Sequence, residues 1–318
     1  MRIKLFFPLL LFFSIILFSC SRNSVGLDYT NAKGEVPRLV NLTFRFNNAM
    51  VPDSLLNEWS TTDYISFEPA IPGKFRWEQP DELVFSPAQP LAPATTFKAE
   101  LNDELLRYTK FTGIKSDKIL FFTPELKLED MQVSWVLQDE RTKTAVPRAD
   151  LYFNYPVSPA SIKEKLQLKT DGQNISYNVS TLSNDSRISI TLAGVSQQDK
   201  DIEGNLVIGK GIVPPGGKNA TKEDITGTFS IPSPANLVIN NVTAEHDGSR
   251  GIVNVAASQE VAMDNIASYI QIQPTVKFSV ERTDEGFTVQ SESFNVEKSY
   301  VLTIKKGLRG LIGGTLHE

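Results

Sequence analysis

A pattern that recurs three times along the chain constrains its fold more than any other feature of the sequence. Met50, Val157 and Val261 are each followed five residues later by Leu or Ile, and each comes after a short segment of alternating polar and apolar residues. Val157 follows Met50 by 107 residues, and Val261 follows Val157 by 104. A period of about 105 residues is long enough for each repeat to close its own hydrophobic core. The sequence therefore predicts three related domains.

Within each repeat, apolar residues alternate with polar ones. In the first repeat the apolar residues of one segment are Val40, Leu42, Phe44 and Phe46, and the residues between them are polar. A period of two is typical of a strand that is buried on one face. Such segments recur about every ten residues between turns that contain Pro and Gly, and no long amphipathic helix separates them. This arrangement predicts an all-β fold of three tandem Ig-like antiparallel β-sandwiches.

The domain boundaries are predicted from breaks in this alternation. They place the first sandwich at residues 37–118, the second at 119–231 and the third at 232–318. The second boundary lies at Ile231–Pro234, where proline removes a backbone donor and interrupts strand pairing. The third repeat stops before the counterpart of the segment that ends near Gly227, so we expect it to lack its last strand. Because an open sheet edge promotes aggregation, we expect the natural chain to be longer.

The N-terminal segment has the features of a secretion signal. Arg2 and Lys4 precede the apolar run Leu5–Phe18. As a helix, this run would extend about 21 Å, which is short of the roughly 30 Å core of a bilayer. Residues 1–19 are therefore predicted to be a cleaved signal peptide. An uncleaved membrane anchor is the alternative.

The segment that ends the apolar run predicts a lipid anchor. Leu17–Cys20 resembles a bacterial lipobox, and Cys20 is the only cysteine of the chain. A lipid on the Cys20 thiol, with acylation of the new N-terminus, would hold the protein at a membrane. Residues 20–36 are polar and lack periodicity, so we expect a flexible tether. By resemblance to envelope sorting rules, Ser21 favours the outer membrane of a bacterial cell envelope; the periplasmic face and the surface both stay open.

The composition excludes several classes of function. The chain has 32 Lys and Arg against 37 Asp and Glu, a formal net charge of −5, so it attracts nucleic acid weakly. One Cys and two His exclude disulfide frameworks and Cys-rich zinc sites. The histidines, His246 and His317, lie 71 residues apart and outside any His-Glu-x-x-His pattern. We predict a non-enzymatic protein with no cofactor and no metal centre.

One acidic loop resembles a calcium-binding loop in part. Asp199, Asp201 and Glu203 alternate with other residues, and Gly204 follows them. An EF-hand needs a bidentate Glu at the twelfth position, where this chain has Lys210. An EF-hand is therefore excluded, while a looser calcium site and an ordinary polar loop both stay open.

Three tryptophans could stack on sugars. Trp77 and Trp135 lie in apolar strand patterns, so we expect them in the core. Trp59 lies between Glu58 and Ser60, so we expect it to be exposed and able to contact a glycan.

The first repeat contains three segments that resemble a known family. These segments are Ile71–Trp77, Leu83–Pro87 and Pro90–Phe97. They look like the N-terminal macroglobulin-type and Ig-like domains of bacterial α2-macroglobulins, which are envelope lipoproteins built from many such sandwiches. With this fold we expect Gly73 to permit a tight turn, and Trp77 and Phe85 to fill the core.

The resemblance implies a function for the whole family. Its members trap proteases, and many carry a thioester formed from a Cys-x-x-Gln motif. This chain departs from that pattern, because its only cysteine is the predicted lipid site Cys20. The resemblance therefore implies a non-catalytic scaffold portion of a protease-trapping inhibitor, with the membrane and proteases or other envelope proteins as partners. The alternative is a surface lipoprotein whose Ig-like domains bind glycan or another adhesion ligand.

Overall fold

The computed structural model describes residues 23–115, 118–139, 141–142, 144–262, 264 and 266–317. The predicted signal peptide and Cys20 lie outside these residues. The chain forms two compact units, one of residues 23–91 and Phe97–Phe121, the other of Ala92–Thr96 and residues 122–317. Regular structure is almost entirely β-strand, which confirms the prediction of an all-β, multidomain Ig-like fold.

The first unit is built from two antiparallel-rich sheets. Its strands are β1 (Ser24–Thr30), β2 (Gly34–Glu35), β3 (Leu42–Phe46), β4 (Trp59–Ser60), β5 (Ile65–Glu68), β6 (Gly73–Gln79), β7 (Glu82–Pro87), β8 (Thr96–Leu101), β9 (Gly113–Lys115) and β10 (Ile119–Phe122). One sheet has the order β4-β6-β7-β3-β1-β9 and the other the order β2-β10-β8-β5. Two short 3₁₀ turns, Asp53–Leu55 and Asp103–Leu106, lie between strands.

Aromatic side chains fill the space between these two sheets. The ring centroids of Phe67 and Phe85 are 4.6 Å apart, and those of Phe75 and Phe85 are 4.7 Å apart. Gly73 begins β6 beneath this cluster, where an added Cβ would lie 2.4 Å from the Phe85 ring. The prediction that Phe85 fills the core is confirmed. The role predicted for Gly73 is wrong, because this glycine lies in a strand and is required for the close approach of Phe85 rather than for a turn.

The second unit contains two sandwiches with separate hydrophobic cores. The first of them, here called the second sandwich, has strands β11 (Leu128–Asp139), β12 (Thr144–Val157), β13 (Leu166–Thr170), β14 (Gln173–Asn174), β15 (Ser176–Val179), β16 (Asp185–Ala193), β17 (Ile202–Ile208) and β18 (Ile225–Ile231). A short helix, α1 (Pro159–Lys165), connects β12 to β13. The sheets have the orders β11-β12-β16-β15 and β14-β13-β17-β18.

The third sandwich has as many strands as the second, but its second sheet has two strands instead of four. Its strands are β19 (Asn236–Leu237), β20 (Ile239–His246), β21 (Gly251–Ala257), β22 (Ile270–Gln273), β23 (Ser279–Thr283), β24 (Gly286–Ser291), β25 (Val301–Ile304) and β26 (Thr315–Leu316). A 3₁₀ turn, Ile266–Tyr269, precedes β22. One sheet has the order β20-β21-β24-β23, the facing sheet contains β22 and β25, and β19 pairs with β26 in parallel.

Two predicted segments differ from the structure. The tether prediction is wrong for the described part of residues 20–36, because β1 pairs with β3 on one side and with β9 on the other. Backbone hydrogen bonds on both edges order a strand whose composition is polar. The boundary at residue 118 is also wrong, because β10 joins the same sheet as β8 in the first unit. Phe121 of β10 stacks on Phe97 with ring centroids 5.2 Å apart.

Candidate binding surfaces

A buried tryptophan joins the second and third sandwiches. Trp135 of β11 is 1% exposed and belongs to the core of the second sandwich, as predicted. Its indole Nε1 donates a hydrogen bond of 2.7 Å to the carbonyl of Pro232, in the segment that connects the two sandwiches. Its backbone N–H donates a hydrogen bond of 2.7 Å to the carbonyl of Ser258, which follows β21 of the third sandwich. One residue therefore contacts both the connecting segment and the next domain.

A group of charged residues lies at the same joint. Arg148 and Arg187, from the second sandwich, both form ion pairs with Glu285, which lies in the turn between β23 and β24. The Nε atom of Arg148 also lies 3.2 Å from a carboxylate oxygen of Asp150, a residue that is 4% exposed. Ser189 donates a hydrogen bond to the other oxygen of Asp150. The buried carboxylate of Asp150 is therefore paired and hydrogen-bonded, as such groups require.

The electrostatics of the joint follow from this arrangement. Burial acts to lower the pKa of Arg187, but Glu285 and Asp150 outweigh burial, so the pKa lies above its ordinary value. Burial raises the pKa of Tyr152, and Asp150 and Glu285 raise it further. Both groups therefore keep their protons at neutral pH.

A polar cleft of about 340 Å³ opens beside the charged group. Its hydrogen-bonding side chains come from both sandwiches of the second unit: Gln132, Tyr152, Asn241, Thr243, Asn254, Thr283, Asp284 and Glu285. Amide, hydroxyl and carboxylate groups of this kind can bind polar ligands.

A second surface lies around Trp59 in the first unit. Trp59 is 48% exposed, which confirms the prediction of exposure. The guanidinium carbon of Arg76 lies 4.6 Å from the centroid of the indole ring, a cation–π distance. Gly73, Pro87 and Ala88 contribute to a cavity of about 340 Å³ beside the indole. Arg76 covers one ring face, so a ligand could stack only on the other.

A third surface is an apolar groove of about 440 Å³ in the third sandwich. It lies between β20 and β21 on one side and β22 and β25 on the other. Its apolar lining includes Val253, Ile272, Phe294, Tyr300 and Leu302. The rings of Phe294 and Tyr300 meet edge to face, with centroids 5.0 Å apart.

The remaining predicted residues take structural positions where the structure describes them. His246 ends β20, and its Nδ1 accepts a hydrogen bond of 3.0 Å from the backbone N–H of Gly248 within an exposed turn. Asp201 accepts a hydrogen bond of 2.7 Å from the backbone N–H of Ser233. Among the described residues, no group of three or more His, Cys, Asp or Glu could hold a metal ion. Asp199, Asp201 and Glu203 are therefore not brought together as such a group.

The lipidation site Cys20 lies outside the described residues. In the part of the chain that the structure describes, no helix is both long enough and apolar enough to cross a membrane.

Sequence reasoning missed the joint and the groove. Arg148, Arg187 and Glu285 are separated by up to 137 positions and show no local pattern that would connect them. Phe294 lies in a polar loop, Ser293 to Lys298. An aromatic residue in such a loop was the signal that could have indicated a packing site.

Comparison with known proteins gives one distant relative. The chain is 21% identical over 236 residues to an alpha-2-macroglobulin from Rickettsia conorii, and the match covers 69% of this chain but 12% of that protein. No protein-family model matches the chain. The similarity supports a distant relationship to bacterial alpha-2-macroglobulin, and the chain spans a small part of that relative's length.

Solved structures show weaker similarity. The N-terminal part of the bacterial S-layer protein SbsC is 14% identical, with a TM-score of 0.26, and the match covers 57% of this chain and 44% of that chain. L,D-transpeptidase 3 from Mycobacterium tuberculosis is 12% identical, with a TM-score of 0.22 and coverage of 41% and 45%. Similarities at this level carry no argument about function.

Proposed function

We propose that this chain is a non-catalytic scaffold portion of an α2-macroglobulin-like, protease-trapping protein. The observation that carries the proposal is the joint between the second and third sandwiches, where Trp135 and Glu285 form bonds from one sandwich to the other. A joint with buried hydrogen bonds and ion pairs restrains rotation more than a free linker does. The distant similarity to alpha-2-macroglobulin supports the same reading. In this proposal the chain spaces other parts of a larger protein from the envelope, and protease trapping belongs to the whole protein.

The scaffold role can be tested by measuring the joint in solution. Spin labels at Asn174→Cys in the second sandwich and Glu292→Cys in the third, in a Cys20→Ser chain, should give one narrow distance distribution. Both positions are exposed, so the labels should not disturb the cores. Adding Trp135→Ala and Glu285→Ala should broaden that distribution. A broad distribution in the chain with an intact joint would contradict the scaffold proposal.

We also propose that Cys20 carries lipid and holds the protein at a bacterial envelope membrane, with the outer membrane favoured. The support is the sequence alone, in which the apolar run Leu5–Phe18 ends at the only cysteine. Labelling of cells with radioactive palmitate should mark the wild-type protein and leave Cys20→Ser unlabelled. A Ser19→Ala variant keeps a small residue before the cysteine and serves as the labelled control. Equal labelling of Cys20→Ser would refute the anchor.

A second candidate function, glycan binding, rests on the exposure of Trp59 beside a small cavity. Tyr108 offers a matched control, because it is 49% exposed and also lies under an arginine, with the Arg107 guanidinium carbon 5.7 Å from its ring centroid. On a glycan array, saturable binding that disappears in Trp59→Ala and persists in Tyr108→Ala would favour this function. Binding that both variants retain, or no binding, would contradict it.

A further inference from the structure

The polar cleft described above lies on the outer face of a sheet in the third sandwich. Val255 of β21 packs in the core, so Ala256 beside it lies on the outer face, where it lines the cleft. Ala256 pairs with Gly286 of β24. An added Cβ at Gly286 would lie 2.2 Å from the carbonyl oxygen of Val255, so this position excludes a larger side chain. The base of the cleft therefore consists of small residues.

The equivalent position of the second sandwich carries large side chains. Tyr152 of β12 lies 104 residues before Ala256, which is the interval between the second and third repeats. Tyr152 pairs with Arg187 of β16, in the same way that Ala256 pairs with Gly286. The same two strands therefore carry two long side chains in the second sandwich and almost no side chain in the third. The space at this position is specific to the third sandwich and does not follow from the shared fold.

Hydrogen-bonding side chains surround this base. The register pairs Asn241 of β20 with Ala256, and it pairs Thr243 with Asn254. Paired residues share a face of the sheet, as do residues two apart on a strand. Thr283 belongs to β23, which forms the opposite edge of the same sheet. The third sandwich therefore provides amide and hydroxyl groups on both sides of the cleft.

Part of this lining is available to a ligand. In the described part of the chain, the side chains of Asn241, Thr243 and Thr283 form no hydrogen bond with the protein. Gln132 and Tyr152 extend the lining from the second sandwich. The volume of about 340 Å³ lies at the lower end of the roughly 300–1,000 Å³ that is typical of small-molecule sites. A small polar ligand in the cleft would therefore contact both sandwiches.

The charges of the cleft favour a neutral ligand. Ion pairs join Arg148 to Asp150 and Arg187 to Glu285. These two cations balance these two carboxylates. Asp284 is the remaining charge of the lining, has no ion pair among the described residues and repels anions. An ammonium group would be attracted to Asp284, but it only donates and so accepts no hydrogen bond from the amide groups of the cleft.

We propose that this cleft binds a neutral carbohydrate, a sugar unit of a glycan, between the second and third sandwiches. A sugar hydroxyl both donates and accepts, so it can donate to Asp284 and accept from the amides of Asn241 and Asn254. The small residues at the base leave space for the sugar ring. A bound sugar contacts both sandwiches and therefore restrains the joint. This inference goes beyond the proposed scaffold function, and its site is separate from Trp59.

The test begins with an array of neutral and acidic oligosaccharides, probed with the full chain in detergent micelles. Isothermal titration then measures the affinity of the neutral oligosaccharide that binds best. Ala256→Tyr, which introduces the residue of the second sandwich, should fill the cleft and weaken binding at least tenfold. Ser279→Tyr is the matched control, because Ser279 is exposed on the same face of β23 but does not line the cleft. Trp59→Ala should leave the affinity unchanged.

NMR spectra of the unmodified chain decide the proposal even if Ala256→Tyr does not fold. The oligosaccharide should shift the side-chain amide signals of Asn241 and Asn254 and leave that of Asn174, which is exposed in β14, unchanged. Absence of binding, unchanged signals of Asn241 and Asn254, or binding that is lost in Trp59→Ala would overturn the proposal. Tighter binding of an acidic oligosaccharide, or of the diamine cadaverine, would also overturn it, in favour of a charged ligand.

Discussion

The second and third sandwiches share a ladder register but cover their cores in different ways. In the second sandwich the last strand, β18, packs against the facing strand β11, whose Val133 and Trp135 are buried. In the third sandwich the facing strand β20 stays exposed, because β25 has no neighbour on that side among the described residues. The comparison teaches that a strand is buried only when a partner strand, which is distant in sequence, covers it. The alternation of polar and apolar residues within the strand does not decide whether it is covered.

One pair of equivalent positions shows how this difference between the two sandwiches changes the packing of individual side chains. Gly204 in β17 has no side chain, and the ring of Phe229 occupies the space where its Cβ would be, at 2.3 Å. The register of the ladders places Tyr300 at the equivalent position of the third sandwich. The Tyr300 hydroxyl donates a hydrogen bond of 3.0 Å to the carbonyl of Ser293, and its ring packs on Phe294. In the third sandwich, Tyr300 and Phe294 therefore fill part of the space that β18 fills in the second sandwich.

The largest expected effect comes from removing the ring that closes the second sandwich. Phe229→Ala should lower the free energy of unfolding by about 3–5 kcal/mol, because Phe229 is buried and leaves a cavity. Phe294→Ala, in the half-covered groove, should cost only about 1–2 kcal/mol, because less of its surface is removed from water. Urea unfolding of both variants measures the two losses. Equal losses would show that the third sandwich is closed in solution.

The next effect tests the space beside Phe229. Gly204→Val should lower the free energy of unfolding by about 1–3 kcal/mol, because the new side chain would overlap the Phe229 ring. Gly227→Ala is the matched control, since its Cβ would meet the Leu206 side chain at an ordinary 3.5 Å. That substitution should change stability by no more than about 0.5 kcal/mol. If Gly204→Val does not lower the free energy of unfolding, the Phe229 ring of β18 does not lie against Gly204.

An effect of similar size tests the joint between the two sandwiches. Trp135→Phe keeps an aromatic ring but leaves the Pro232 carbonyl without its indole donor, which should cost about 1–3 kcal/mol. Trp77 provides the control, because in the described part of the chain its buried Nε1 has no hydrogen-bond partner. Trp77→Phe therefore loses packing volume without breaking a hydrogen bond. If urea unfolding gives equal losses for the two variants, the Trp135 hydrogen bond contributes nothing.

Local sequence patterns predicted those features of the fold that depend on residues close together in sequence. Alternation predicted the strands, the all-β class and the burial of Trp77 and Trp135, and the polar neighbours of Trp59 predicted its exposure. These properties depend on which face of a single strand a residue occupies. The segment with β1 was predicted as a tether because its composition is polar, whereas hydrogen bonds to β3 and β9 order it.

Features that depend on distant residues could not be predicted. Nothing near Ile119 indicates that β10 returns to β8, so the sequence predicts the domain boundary one strand too early. Gly73 was predicted in a turn because glycine favours turns, but the constraint is the Phe85 ring on a neighbouring strand. The ion pairs of Glu285 with Arg148 and Arg187 exist only because two sandwiches meet.

The smallest expected effect concerns those ion pairs. Glu285→Gln should lower the free energy of unfolding by about 0.5–1 kcal/mol at low salt, because the side chains of Arg187 and Glu285 are partly exposed to water. In 1 M salt, where the screening length falls to about 3 Å, most of that loss should disappear. Glu125→Gln is the control, since its partner Lys222 is 75% exposed and lies away from the joint. If Glu285→Gln and Glu125→Gln lose the same free energy of unfolding at both salt concentrations, the ion pairs of Glu285 do not stabilise the joint. The contacts of Trp135 would then stabilise it alone.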